Sequence, residues 1–305
     1  MIEELRKQMN EFFVGKEDVV DNLLICLFAG GHVLIEDVPG VGKTTVVEIL
    51  ARSVQCDFGR IQFTPDTLPG DVVGTEIYNM KNGNFEFCDG AVMHQIILAD
   101  EINRTSPKTQ SSLLEAMAEG HVTVCGVKHE LPTPFMVIAT QNPVEFMGTY
   151  KLPEAQLDRF MMKISIGYPS EEEEIRMAKN ELEGKVVKEV KSIITSNEVV
   201  EIKKKVLNVL VKDEILVYIR NIIDATRKET RFILGASPRA LIALLRASQA
   251  KAYMEGRDYV KPDDVKAVSH NVLCHRLVLT SEANVGKDAC KKIFNELLLK
   301  IKAPR

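Results

Sequence analysis

Short apolar runs alternate with amphipathic stretches through the first half of the chain, and the second half keeps helical spacing almost to its end. Three runs are candidates for buried strands: "HVLIE" at 32–36, "MHQIILAD" at 93–100 and "PFMVIATQNP" at 134–143. Each is short and largely apolar, as a strand covered on both faces should be. The segments 17–29, 43–54 and 106–120 have helical length and pattern. Glu17 and Asp18 suit the first turn of one, and Gly120 ends another. Helices set between apolar strands predict an α/β fold with a parallel sheet.

Two segments break that rhythm. In 74–90, Asn82-Gly83 between "EIYNM" and "FEF" is a strong hairpin signal. In 120–132, Val122 and Val124 alternate with polar residues and then meet a Gly turn. Both read as β-hairpins inserted into the α/β core, which does not need them. Beyond Phe160 the character changes. Ser170 and Glu173 form a capping box, and the acidic run Glu171–Glu174 suits the positive end of a helix. Helical patterns follow at 171–183, 198–210, 213–228, 238–255, 262–275 and 287–301, with good starts at Ser237-Pro238 and at Pro262-Asp263. The expected division is an α/β core at 1–168 followed by an all-α domain at 169–305.

The 305 residues, 45% of them hydrophobic, suffice for one large domain or two ordinary ones. A net charge of −4 offers no basic footprint for nucleic acid. The start of the chain has no signal-peptide core, and its longest apolar run, 23–29, is far below the roughly 20 residues a membrane span needs. A soluble, cytoplasmic protein without membrane insertion is expected. Six cysteines, none in a C-x-x-C pair, read as reduced, buried thiols. His270 and His275 are five apart rather than four, which argues against a helical metal pair.

The chemistry concentrates where the strands end. "EDVPGVGKTT" (36–45) ends in the Gly-Lys-Thr of a phosphate-binding loop, between a predicted strand and a predicted helix. Phosphates need converging backbone N–H donors, which a tight Gly-rich turn at a helix N-terminus supplies. The candidate nucleotide-binding residues are Pro39, Gly40, Val41, Gly42, Lys43, Thr44 and Thr45. Lys43 brings a positive charge to the outer phosphates, and Thr44 offers a hydroxyl to Mg²⁺. The full motif has a Gly at position 37, where this chain has Asp. Asp tolerates unusual backbone conformations, so Asp37 reads as a tolerable departure. "IILADE" ends in two acids. Asp100 can hold Mg²⁺ through a water, and Glu101 can orient and deprotonate an attacking water. Asn142, after the third strand, can hydrogen-bond the γ-phosphate. In an open α/β sheet such carboxyl ends meet at one crevice.

The stretches "EDVPGVGKT", "LADEINRTSPKTQSSLLEAM", "IATQNPVEFMGTYKLPEAQLDRF" and "GASPRAL" resemble the MoxR family of AAA+ ATPases, in order and over nearly the whole chain. The resemblance implies an α/β core with inserted hairpins, a helical lid, ATP and Mg²⁺ as cofactors, and assembly into a ring, usually hexameric. By position it makes Asp100 and Glu101 the Walker B pair and Asn142 sensor 1. Arg159 becomes an arginine finger reaching a neighbouring subunit, with Arg104 a second candidate, and Arg239 becomes sensor 2. Val14 and Gly15 match the segment lining the adenine pocket. The implied role is a chaperone that remodels or matures a client protein complex, with a separate von Willebrand factor A domain protein as partner. A magnesium-chelatase-like motor subunit has the same insertions and stays open as an alternative. So does a DNA-acting motor or loader, against which the balanced charge speaks.

Overall fold

The computed structural model describes residues 1–143, 148–182, 187–286 and 288–304. Residues 144–147 of the third quoted stretch, and positions 183 and 287 of two predicted helices, lie outside the described residues.

In chain order the elements are α1 (Ile2–Phe12), α2 (Glu17–Ala29), β1 (Val33–Glu36), α3 (Lys43–Ser53), β2 (Phe58–Gln62), α4 (Pro69–Val73), β3 (Thr75–Asn79), β4 (Asn84–Cys88), β5 (Ile96–Asp100) and α5 (Pro107–Glu119). There follow β6 (His121–Val124), β7 (Val127–Glu130), β8 (Met136–Gln141), α6 (Glu154–Leu157), β9 (Met162–Ile164), α7 (Glu171–Leu182) and α8 (Ser196–Leu207). The chain ends with α9 (Asp213–Lys228), β10 (Phe232–Leu234), α10 (Pro238–Met254), α11 (Pro262–Leu273), β11 (Val278–Leu279) and α12 (Ala289–Lys300). These residues cluster into two compact units. One comprises residues 1–21, 32–152 and 164–200; the other comprises 22–31, 153–163 and 201–305.

The first unit is built on a sheet in which β2, β5, β8 and β1 lie side by side in that order. The β2–β5, β5–β8 and β8–β1 pairings are all parallel. Ile96–Ala99, Met136–Ala139 and Val33–Ile35 are all buried, which explains why these strands read as continuous apolar runs. Each such Ile or Leu contributes about 1.5–3 kcal/mol by leaving water. The register sets Gln62 beside Asp100 and Glu36 beside Gln141, so the carboxyl ends of the strands line up. Strand β2 escaped the sequence pattern because an outer strand carrying Gly59 and Arg60 lacks an apolar run. Helix α1 also escaped it: only Leu5 and Met9 of its eleven residues are buried.

Both inserted hairpins form, β3–β4 and β6–β7, each antiparallel. The second closes through Cys125 and Gly126 at φ 48° and 83°, the two-residue turn that right-twisted strands favour. The predicted capping box also forms: the Glu173 carboxylate accepts from Ser170 N at 2.7 Å, and Ser170 Oγ accepts from Glu173 N at 3.4 Å.

The second unit is helical, with α10 packed on α11 and on α9, and α12 on α9. Ser237 caps α10, accepting from Ala240 N at 3.1 Å. One expectation needs correction. Cys26 and Cys56 are buried, but Cys88 and Cys125 are exposed, because they fall on the hairpins and not in the core.

Candidate functional site

The loop between β1 and α3 makes a cradle. Gly42 precedes α3 at φ 83°, in the left-handed region, with Phe13 within 3.2 Å of where a Cβ would stand. Gly42 offers α3 no side-chain cap, and a helix start of this kind is where backbone N–H groups can meet an anion. The Lys43 ammonium donates to the Asp37 carbonyl at 2.7 Å. Beside the loop lies a cavity of about 320 Å³. Val14, Gly40, Val41, Gly42 and Thr45 line it, with Phe12, Phe13 and Lys16. Ile166–Pro169, Glu174 and Met177 complete the lining. An apolar wall beside a run of backbone donors suits a flat base attached to phosphates. Gly15, Pro39, Lys43 and Thr44 are not part of this lining. Gly15 follows Val14 at φ 90°, a backbone conformation that strains any residue with a side chain, and Glu173 would have to move aside for a Cβ.

Asp37 is engaged, not merely tolerated. One carboxylate oxygen accepts from Ser165 Oγ at 2.9 Å and from the N–H groups of Ile166 and Gly167, both at 2.6 Å. The other accepts from Val38 N at 2.9 Å. Burial alone would raise its pKa. The donors from Gly167, Ser165, Val38 and Ile166 together outweigh it and hold the carboxyl below the usual range.

The acids sit where the strands end. Thr140 Oγ1 donates to Asp100 at 2.7 Å and accepts from Glu101 N at 2.8 Å, joining the ends of β5 and β8. Arg60 of β2 holds the other Asp100 oxygen at 2.9 Å. Glu101 takes φ 57° and ψ 49°, a left-handed conformation that costs a non-glycine residue about 1–2 kcal/mol. Its carboxylate accepts from Gln62 at 2.7 Å and Arg104 at 2.8 Å. Asn142 follows β8 and is buried. Phosphate loop, Asp100, Glu101 and Asn142 therefore belong to one unit and share the carboxyl ends of neighbouring strands.

Arg159 and Arg239 belong to the other unit. Arg159, half-buried, follows α6; Arg239, exposed, is the second residue of α10. Asp158 joins the two segments, accepting from Ser237 Oγ at 3.0 Å and pairing with Arg276 Nε at 3.0 Å. Arg276 also donates to the Phe160 carbonyl at 2.7 Å, which His275 Nε2 approaches at 3.1 Å. The residues on both sides of Arg159 are thus pinned.

Arg60, Gln62, Asp158 and Arg276 were not legible beforehand. The first two lie on the strand the pattern missed. Arg276 looks like any surface arginine until the fold buries it. His275 is buried in the core.

Residues 32–162 match the ATPase family associated with various cellular activities (AAA), and residues 224–293 match the AAA lid domain. The uncharacterized protein YeaC of Bacillus subtilis is 48% identical over 98% of this chain and 93% of its own length. Chaperone MoxR1 of Mycobacterium tuberculosis is 40% identical over 98% of this chain and 81% of its own. A crystal structure from Cytophaga hutchinsonii superposes with a TM-score of 0.92 and 42% identity, covering 100% of this chain and 95% of that one. A parallel sheet, a phosphate loop, two strand-end acids, a helical lid and these relatives lead to one assignment: the chain belongs to the MoxR family of AAA+ ATPases.

Proposed function

We propose that the chain hydrolyses ATP to ADP and phosphate with Mg²⁺, in a cytoplasmic ring of its own copies, six by family resemblance. The observation that carries this reading is the meeting of the phosphate loop, Asp100, Glu101 and Asn142 at adjacent strand ends of one unit. Pro39 to Thr45 cradle the phosphates, Lys43 offsets their charge, and Val14 and Gly15 flank the base. Mg²⁺, when bound, neutralises phosphate charge and fixes phosphate geometry. Thr44 and Asp100 are the residues that would hold it. Among the described residues no cluster of three or more His, Cys, Asp or Glu forms a metal cage. That suits a cation bound through one or two protein oxygens plus phosphates. Glu101 orients the attacking water and takes its proton, and Asn142 hydrogen-bonds the γ-phosphate. Arg159, given by a neighbouring copy, stabilises charge developing in transfer, and Arg239 assists. The functional division is a core at 1–168 and a lid at 169–305.

The work driven by turnover is the remodelling or maturation of a client protein complex, together with a separate von Willebrand factor A domain protein. The two hairpins couple nucleotide state to that partner. The exposed Ile77, Tyr78, Met80 and Phe85 of the first hairpin support this reading. Deleting the 80–83 tip should abolish partner-stimulated turnover while sparing basal turnover.

The test of the site is Glu101→Gln. It should keep ATP binding and lose turnover by about a hundredfold or more, the usual effect of removing a positioned base. Normal turnover by this variant would remove Glu101 from the reaction.

A further inference from the structure

We propose that Asp37 is a positioning residue for nucleotide recognition: its carboxylate ties the wall of the base-side cavity to the first position of the phosphate loop. This rests on reading that cavity as the nucleotide site. The standard motif has glycine here, with no side chain to make such a tie.

The geometry is that of a latch between distant segments. Asp37 stands at the exit of β1 and is 7% exposed. The groups it holds on the far side, Ser165, Ile166 and Gly167, lie 128 to 130 residues away in sequence. Ile166 and Gly167 are themselves cavity lining, continuous with Tyr168 and Pro169. Gly40, Val41 and Gly42 of the loop line the same cavity. One carboxylate therefore sets the distance between phosphate loop and base wall. Carboxylates receiving several backbone N–H groups make strong, short bonds, and a lost acceptor leaves buried N–H groups unpaired.

The same geometry separates two effects. Lys43 donates to the main-chain carbonyl of residue 37, which any substitution retains. The cradle on α3 is likewise built from backbone. Removing the carboxylate should loosen the base wall and spare the phosphate arm. Restoring the standard glycine should accordingly harm nucleotide binding.

The experiment compares wild type, Asp37→Gly, Asp37→Asn, Ser165→Ala and Lys43→Ala in full-length protein. A fluorescent ADP is bound directly, and ADP and inorganic tripolyphosphate are used as competitors. Asp37→Gly and Asp37→Asn should weaken ADP about tenfold while tripolyphosphate competes within about twofold of wild type. Ser165→Ala removes one donor, folds without a buried charge left unpaired, and should weaken ADP in the same direction by less. In steady state the Asp37 variants should raise KM for ATP with kcat little changed, the signature of lost uniform binding. ADP binding by Asp37→Gly as tight as wild type would overturn the proposal. So would equal weakening of ADP and tripolyphosphate, or unchanged ADP binding by Ser165→Ala. Failure of wild type to bind ADP, or full binding by Lys43→Ala, would instead remove the nucleotide reading and this proposal with it.

Discussion

Arg276 is a cation in surroundings cations avoid, its side chain 3% exposed. Burial pushes its pKa down to about 10; the Asp158 carboxylate opposes that, and the charge of Arg239 adds to it. The guanidinium still carries its charge at neutral pH, so its stability depends on Asp158 and on the Phe160 carbonyl. Removing one member of such a pair leaves the other buried and uncompensated, which costs about 3–5 kcal/mol. Arg276→Gln and Asp158→Asn should each destabilise the protein on that scale. The double variant should lose clearly less than the sum of the two. Urea denaturation of all four proteins measures this, and strict additivity would show that the pair is not coupled. At this scale the sequence names candidate reactive groups readily: Lys43, Asp100 and Glu101 stand out by type and spacing. Residues that hold segments together are not recognisable, because Asp37, Asp158 and Arg276 each find partners more than 75 residues distant.

The two hairpins form a joined pair, although each was legible only singly. The Phe87 ring of β4 stacks on His129 of β7, with centroids 3.7 Å apart and planes at 16°. Helix α5 leads from the turn after Glu101 to Gly120, after which β6 begins, so the second hairpin is one helix away from Asp100 and Glu101. Stacked rings contribute about 0.5–1.5 kcal/mol beyond burial. Phe87→Ala should therefore raise amide hydrogen exchange in β6–β7, a hairpin it does not belong to, while leaving β1, β5 and β8 protected. Unchanged exchange in β6–β7 would mean that the hairpins move independently. The turn chemistry was visible in Asn82-Gly83 and in the Gly after Val124. The stacking was not, since Phe87 and His129 occupy ordinary alternating positions with nothing local to pair them.

Over the whole molecule, acid acts on the two units in different pH ranges. His270 and His275, both in the second unit, have pKa values lowered chiefly by burial, His275 well below the ordinary range. Below about pH 6.5 the unfolded chain takes up protons at these rings that the folded chain refuses. Stability is therefore lost as pH falls below about 6.5, until the folded rings themselves titrate. Asp37, in the first unit, has a lowered carboxyl pKa, and its contribution persists until pH falls below about 4. The melting temperature should decline between pH 7.5 and 5.5, and His275→Gln should flatten that decline. An equal slope in that variant would exclude His275 as a source. The sequence by itself determined the alternation of elements, the parallel sheet, both hairpins, the helical second half and the candidate site residues. These depend on periodicity, on turn chemistry and on residue type, all of which are local. Only the tertiary structure decided that Asp37 latches onto Ile166 and Gly167, that Gln62 reaches the Glu101 carboxylate, and that Asp158 and Arg276 pin the residues around Arg159. Those pairings join segments that the sequence keeps apart, and burial and hydrogen bonding assign them only once the chain has closed on itself.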